Sequence, residues 1–199
     1  EITASIEEYR SSGKIRTKST TDDEVLDLLD SQKIVAVFGG ASESGRRALG
    51  NRSILADPRS DKMKDTINQR VKHRQWYRPF APSILIEDTK DWFEDAVYSP
   101  YMSFALKFKK DKASQVPAVV HEDGTGRLQT VQSSLNPWYH NFITKWKEKS
   151  GVPILLNTSF NDREPIVETP EDAIKCFIGT DIDYLYFYET GNLVSKGDV

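Results

Sequence analysis

The sequence predicts an α/β domain built on a mixed sheet with flanking helices. Three observations carry this. Short apolar, largely β-branched runs such as "KIVAVF" (33–38) and "VPILL" (152–156) are bounded as buried strands are. Segments such as 137–149 carry apolar residues at helical spacing. Strands and helices then interleave irregularly, which argues for a mixed sheet over a strict parallel repeat. The 38% apolar content is enough for a core in 199 residues, a length that suits one domain.

Along the chain, 1–20 is polar without apolar periodicity and is expected to be a linker or lead-in arm, with the domain proper at 21–199. Thr21 with Glu24 makes a capping box for a helix over 21–31, whose stripe is Val25, Leu26 and Leu29. "KIVAVF" and "SILAD" (53–57) are strands, and Met63, Ile67 and Val71 mark a helix over 61–73. "SILIED" (83–88) and "YMSFALKFK" (101–109) are expected strands around a short helix at 88–94. "AVVHEDG" and "LQTV" suggest a hairpin about 123–126. A helix over 137–149 precedes the strand "VPILL". Thr169-Pro170-Glu171-Asp172 is a helix start: a hydroxyl at the cap, Pro in the first position, acids in the first turn. "YLYFYE" and "NLVSK" close the chain as strands.

Several function classes fall away. No run approaches the ~18 apolar residues of a membrane span, and no signal-peptide pattern is present. One cysteine, Cys176, excludes an internal disulfide and is read as a buried structural thiol in a helix. A cytoplasmic location fits. His73, His121 and His140 stand far apart, so no zinc site is expected. The chain begins at Glu1 rather than Met, as a piece of a longer protein would.

The net charge of −3 hides an asymmetry. Ten Lys/Arg against three Asp make the stretch 46–78 carry +7, leaving −10 elsewhere. A local basic region in an acidic chain points to a small polyanion pocket more than to a nucleic-acid surface.

Four polar clusters stand at element ends. The loop "GGASESGRRALG" has the G-x-x-x-x-G spacing of a phosphate loop, yet places Arg46 and Arg47 where Lys and Ser/Thr belong. "VKHRQWYRPFAP" crowds Lys72, Arg74 and Arg78 around Trp76 and Tyr77, and Pro79 and Pro82 stiffen it. Its aromatics either cover a base or pack, with packing the default. "HEDGTGR" carries Arg127 beside a turn; His121 and Asp123 either pair as acid and base or, by default, Asp123 caps the turn. "LLNTSFN" ends a buried strand at Asn157, Thr158 and Ser159, and no His or Lys is seen to activate Ser159 as a nucleophile. Cations and neutral donors without a nucleophile or metal cage suit phosphoryl or nucleotidyl chemistry, which rests on positioning and charge.

Taken in order, "GRRALGNRSILADPR", "VKHRQWYRPFAPSIL", "AVVHEDGTGRLQTV", "GVPILLNTSFN" and "PIVETPEDAIKCF" resemble the C-terminal domain of the O-carbamoyltransferase family, which includes nodulation-factor and aminoglycoside carbamoyltransferases. The resemblance runs from about Gly39 to Phe177, and Arg46 replaces a family proline. It implies a YrdC-like fold, a twisted mixed sheet with a concave basic face. It also implies binding of carbamoyl phosphate and ATP, with Mg²⁺ held by phosphate oxygens and water. Carbamate released there would be joined to AMP as carbamoyl-adenylate, for transfer to an acceptor hydroxyl by an N-terminal domain of the actin-like ATPase superfamily. Carried over by position, Lys72 and Arg78 would hold carbamoyl phosphate, and Arg47 and Arg127 would neutralise charge at the α-phosphate. Ser159 and Asn157 would bond the nucleotide phosphates. The rival reading is a YrdC-like RNA-binding module without adenylating activity, supported by the basic segment.

Overall fold

The computed structural model describes residues 1–43 and 45–198. Ten strands and seven helices follow one another as α1 (Ile2–Ser11), β1 (Ile15–Ser19), α2 (Asp22–Asp30), β2 (Val35–Phe38), β3 (Arg52–Ala56), α3 (Lys62–Arg70), β4 (Ala81–Leu85), α4 (Thr89–Trp92), β5 (Ala105–Lys107), α5 (Lys110–Ala113), β6 (Thr125–Arg127), β7 (Gln129–Val131), α6 (Pro137–Ser150), β8 (Ile154–Ser159), α7 (Pro170–Gly179), β9 (Tyr184–Phe187) and β10 (Asn192–Lys196). Eight strands form one mixed sheet in the order β1-β10-β9-β2-β3-β8-β4-β7, and β5 with β6 makes a separate two-stranded ribbon. Only the β2–β9 and β4–β7 pairings in the large sheet are parallel.

Burial explains the sequence pattern. Every position of β2 and β3 is buried, so helices must cover both faces of the sheet. On one face α6 brings Trp138 against Tyr188, its ring stacked 3.8 Å away, and Trp146 into the core. Phe187, between Tyr186 and Tyr188, points the other way and meets Phe38 at 5.4 Å. Helix α7 lies against β2 and β9, and α1 packs on it. The cap of α7 is a full reciprocal box: Asp172 N–H donates to Thr169 Oγ1 at 3.1 Å and Thr169 N–H to Asp172 Oδ2 at 3.0 Å. In α2, Thr21 accepts from Glu24 N–H as expected, but the Glu24 carboxylate turns to the Thr20 hydroxyl instead of closing the box.

Three expectations are corrected. Residues 1–20 are not a linker outside the sheet: they form α1 and the edge strand β1, paired to β10 from Ile15–Lys196 to Ser19–Asn192. Few apolar anchors suffice: Ile6 and Ile15 are buried, Ile2 and Tyr9 pack partly buried against the core, and most of the remaining side chains stay exposed. The hairpin about 123–126 does not form. Thr125–Arg127 pairs with β5, and Gln129–Val131 pairs in parallel with β4. Residues 117–119, where "AVV" begins, are a single 3-10 turn. The long strand expected over 101–109 shrinks to Ala105–Lys107.

No helix among the described residues is long and apolar enough to cross a membrane.

Candidate functional site

Strand order gathers the polar clusters at one end of the sheet. The carboxyl end of β2 opens into the Gly39–Asn51 loop, and antiparallel β3 begins beside it at Arg52. Strand β8 finishes there at Ser159, opposite Ser53. Strand β4 starts there, Ala81 facing Asn157, so the segment leading into it carries Arg74 and Arg78 to the same edge. Strand β7 runs parallel to β4 with Gln129 opposite Ser83, which delivers Arg127 two residues earlier. Four clusters spread over more than a hundred residues thus meet at one edge.

A cavity of about 170 Å³ opens at this edge, walled by Arg46, Arg47, Arg74, Asn157, Thr158 and Ser159 with Phe80 and Met102. No carboxylate is among its walls as far as the described residues go. Burial, and then the nearby charge of Arg127, lower the Arg47 pKa. Burial, and then Arg78, lower that of Arg74. Each of these like charges lowers its neighbour's pKa, and no acid offsets either shift, an arrangement that a bound polyanion relieves. Arg74 is also anchored: its Nε donates to Asn68 Oδ1 at 2.8 Å and its guanidinium lies 4.9 Å over the Phe80 ring. Buried Asn68 in turn donates to the carbonyls of Trp76 and Arg78, which fixes the turn before β4.

Arg47, Asn157 and Ser159 line this cavity, and Arg127 and Arg78 stand beside it as exposed side chains whose charge Arg47 and Arg74 feel. Lys72 does not face an open anion site. Its ammonium is buried and donates to Ser159 O at 2.6 Å, to Asn161 O and Oδ1 at 2.9 Å each, and more weakly to Ser159 Oγ at 3.3 Å. Three N–H bonds are spent on four protein oxygens. Burial foremost, and then Arg74, depress its pKa to about 8. Asn157 is likewise committed: its amide N–H groups point at Ala48 O, Ser83 Oγ and Gln129 Oε1, leaving none for a phosphate. Lys72 and Asn157 therefore build the floor and the β8 terminus.

His121 and Asp123 are not arranged as an acid–base pair. Asp123 accepts from Thr125 N–H and from its hydroxyl, at 3.0 and 2.7 Å, as a turn cap does. Trp76 and Tyr77 do not pack into the core; they are 60% and 54% exposed and border a second hollow with Lys64, Pro79 and His121. Cys176 is buried and its thiol is pushed up to about 12, chiefly by burial. Arg46 and Arg74 are wall residues that sequence reasoning placed near the site without giving them a role. The signal for Arg74 was present in the Lys-x-Arg spacing, but which of three neighbouring cations faces inward depends on the turn that Asn68 holds.

Residues 26–194 match the family model described as "Carbamoyltransferase C-terminus". The chain is similar to nodulation protein NolO of Bradyrhizobium diazoefficiens, 48% identical over 163 residues, which covers 80% of this chain and 30% of that one. Nodulation protein NolNO of Sinorhizobium fredii is 51% identical over 157 residues, covering 75% and 23%. The chain therefore spans about a quarter to a third of the length of these curated relatives. Among solved structures, HypF of T. kodakarensis superposes with a TM-score of 0.58 at 16% identity, over 92% of this chain and 23% of that one. A full-length HypF in a phosphate- and nucleotide-bound form gives 0.54 at 19% identity, over 82% and 21%. The fold is thus the YrdC-like twisted mixed sheet shared with those structures.

Proposed function

The chain belongs to the carbamoyltransferase C-terminal family, and from that premise we propose that it is the adenylating part of an O-carbamoyltransferase. It takes carbamoyl phosphate and ATP. Water releases carbamate and inorganic phosphate; a carbamate oxygen then attacks the α-phosphorus of ATP, and the bond to pyrophosphate breaks. The product, carbamoyl-adenylate, passes to an N-terminal domain of the actin-like ATPase superfamily, which transfers the carbamoyl group to an acceptor hydroxyl.

The observation that carries this reading is the acid-free cavity walled by Arg46, Arg47 and Arg74, with Arg78 and Arg127 beside it. Clustered guanidinium groups favour a ligand that brings several negative charges, and they offer forked contacts to phosphate and carbamate oxygens. Charge stabilisation of this kind is the main catalytic resource in nucleotidyl transfer. The phosphate and nucleotide in the HypF structure of similar fold support the ligand class. Arg47 and Arg127 are assigned to the reacting α-phosphate, and Arg74 and Arg78 to carbamoyl phosphate. Ser159 forms part of the wall, while Lys72 and Asn157 act by holding β8 and the cavity floor. The walls supply no carboxylate to a cation, so Mg²⁺ would enter with ATP, held by phosphate oxygens and water.

The test is calorimetric titration with carbamoyl phosphate and a non-hydrolysable ATP analogue, beside carbamoyl-phosphate-dependent exchange of labelled pyrophosphate into ATP. Binding of both ligands, weakened in Arg47→Ala and Arg78→Ala, is expected. Parent protein that binds neither ligand, yet retains RNA in a salt-sensitive filter assay, would show the assignment to be wrong.

A further inference from the structure

The loop from Gly39 to Asn51 has no sheet partner, yet it carries two of the three arginines in the cavity wall. Its backbone donors need acceptors if the loop is to hold one shape. Glu43 supplies them. Its Oε1 accepts from Leu49 N–H at 2.9 Å and from Asn51 N–H at 2.7 Å, and its Oε2 accepts from Arg52 N–H at 3.2 Å. The carboxylate thus reaches across six to nine residues and ties Glu43 to the return of the loop at 49–52, past Arg46 and Arg47 in sequence.

The returning part of the loop, 48–50, is bonded residue by residue. Asn157 Nδ2 donates to Ala48 O at 3.1 Å and Gln129 Nε2 to Leu49 O at 2.8 Å. Gly50 N–H donates to Ser53 Oγ at 2.9 Å. The outgoing half starts from Gly39, whose N–H donates to Asn51 O at 3.2 Å and whose carbonyl accepts from Arg52 Nη1 at 2.6 Å; beyond it Asn51 Nδ2 donates to Ala41 O at 2.9 Å, and the Glu43 side chain makes the next tie. Both Glu43 oxygens accept from backbone N–H groups, and Glu43 is not among the residues that wall the cationic cavity. Burial raises its pKa, opposed by the three backbone N–H groups and by Arg52.

We propose that Glu43 is a positioning residue: its carboxylate clamps the β2–β3 loop in the shape that turns Arg46 and Arg47 toward the cavity. The inference rests on the proposed anion-binding role of that cavity. A carboxylate beside a cationic site would ordinarily weaken anion binding. Here its charge is absorbed by three peptide dipoles, so it orders the arginines without neutralising them.

The experiment compares Glu43→Ala and Glu43→Gln with the parent, each also in an Arg47→Ala background. Amide hydrogen exchange at 49, 51 and 52 reports the clamp directly, and amides of α6 and β8 report the fold. Calorimetry with carbamoyl phosphate reports the cavity. In Glu43→Ala the loop amides should exchange at least about tenfold faster while α6 and β8 keep their protection. Affinity should fall by about tenfold, and that loss should shrink when Arg47 is already alanine, because a positioning residue acts through the groups it positions and only Arg46 is then left. Glu43→Gln, which keeps one acceptor oxygen, should fall between. Unchanged loop exchange, or an equal loss of affinity in the Arg47→Ala background, overturns the proposal. Should the parent fail to bind carbamoyl phosphate, the functional reading fails, and loop exchange alone still decides the clamp.

Discussion

Replacing Lys72 with methionine separates the charge of a buried ammonium from its volume. Lys72 is 7% exposed, and its pKa is lowered from 10.5 to about 8. Holding the proton in the folded state at neutral pH therefore costs roughly 3 kcal/mol, which Lys72→Met recovers. Against this stands the loss of bonds to the β8 terminus. Ser159 O keeps the N–H of Asn161, and Asn161 Oδ1 keeps the Ser159 hydroxyl. Asn161 O loses the one protein donor it has here, at a cost of about 1–3 kcal/mol. Lys72→Met should thus match the parent to within about 2 kcal/mol at pH 7.5. The pH dependence is the sharper test. Because the folded pKa lies below the unfolded one, the unfolded chain binds more protons between pH 8 and 10.5, and stability rises with pH across that window. The contribution is fully present above the unfolded pKa and is lost as pH falls through about 8. Urea denaturation of parent and variant from pH 7.5 to 10.5 should show the parent gaining up to roughly 3 kcal/mol relative to Lys72→Met. A difference that stays flat, or that moves the other way, refutes the assignment of a buried, strained cation.

Arg47→Ala should lower the affinity for carbamoyl phosphate by about 10- to 100-fold, the value of one or two charge-assisted bonds. Because Arg47 is exposed, its thermal midpoint should not move; calorimetry and a melting curve together check this. Gly50→Ala should cost about 2–4 kcal/mol. Its φ is +117°, and an added Cβ would sit 2.5 Å from Cδ2 of buried Tyr139, so thermal denaturation should reveal a large loss. Cys176, buried and pushed up to about 12, should resist thiol reagents at pH 8 in the native protein and react once the chain is denatured.

The β-branched run at 33–38 and the apolar run at 152–156 could become little other than strands buried on both faces, and the Thr169 cap could only start a helix. Such features are local, so sequence determines them. The order of five cluster-bearing segments was also enough to reveal the family. Tertiary structure decided the rest. Segment 1–20 joins the sheet because β10 offers an open edge, a partner that no local pattern discloses. "LQTV" pairs with β4 instead of with its neighbour because the register is set by the sheet, not by the turn before it. Above all, the chain names its cations but not their partners. Lys72 and Arg74 lie two residues apart and look alike in sequence. One is swallowed by the oxygens of Ser159 and Asn161, which β8 brings from the far end of the chain, and the other is held at the cavity wall by Asn68 of α3. Glu43 is the same lesson in reverse: a polar loop residue by pattern, it finds its three N–H donors only when the loop folds back on it.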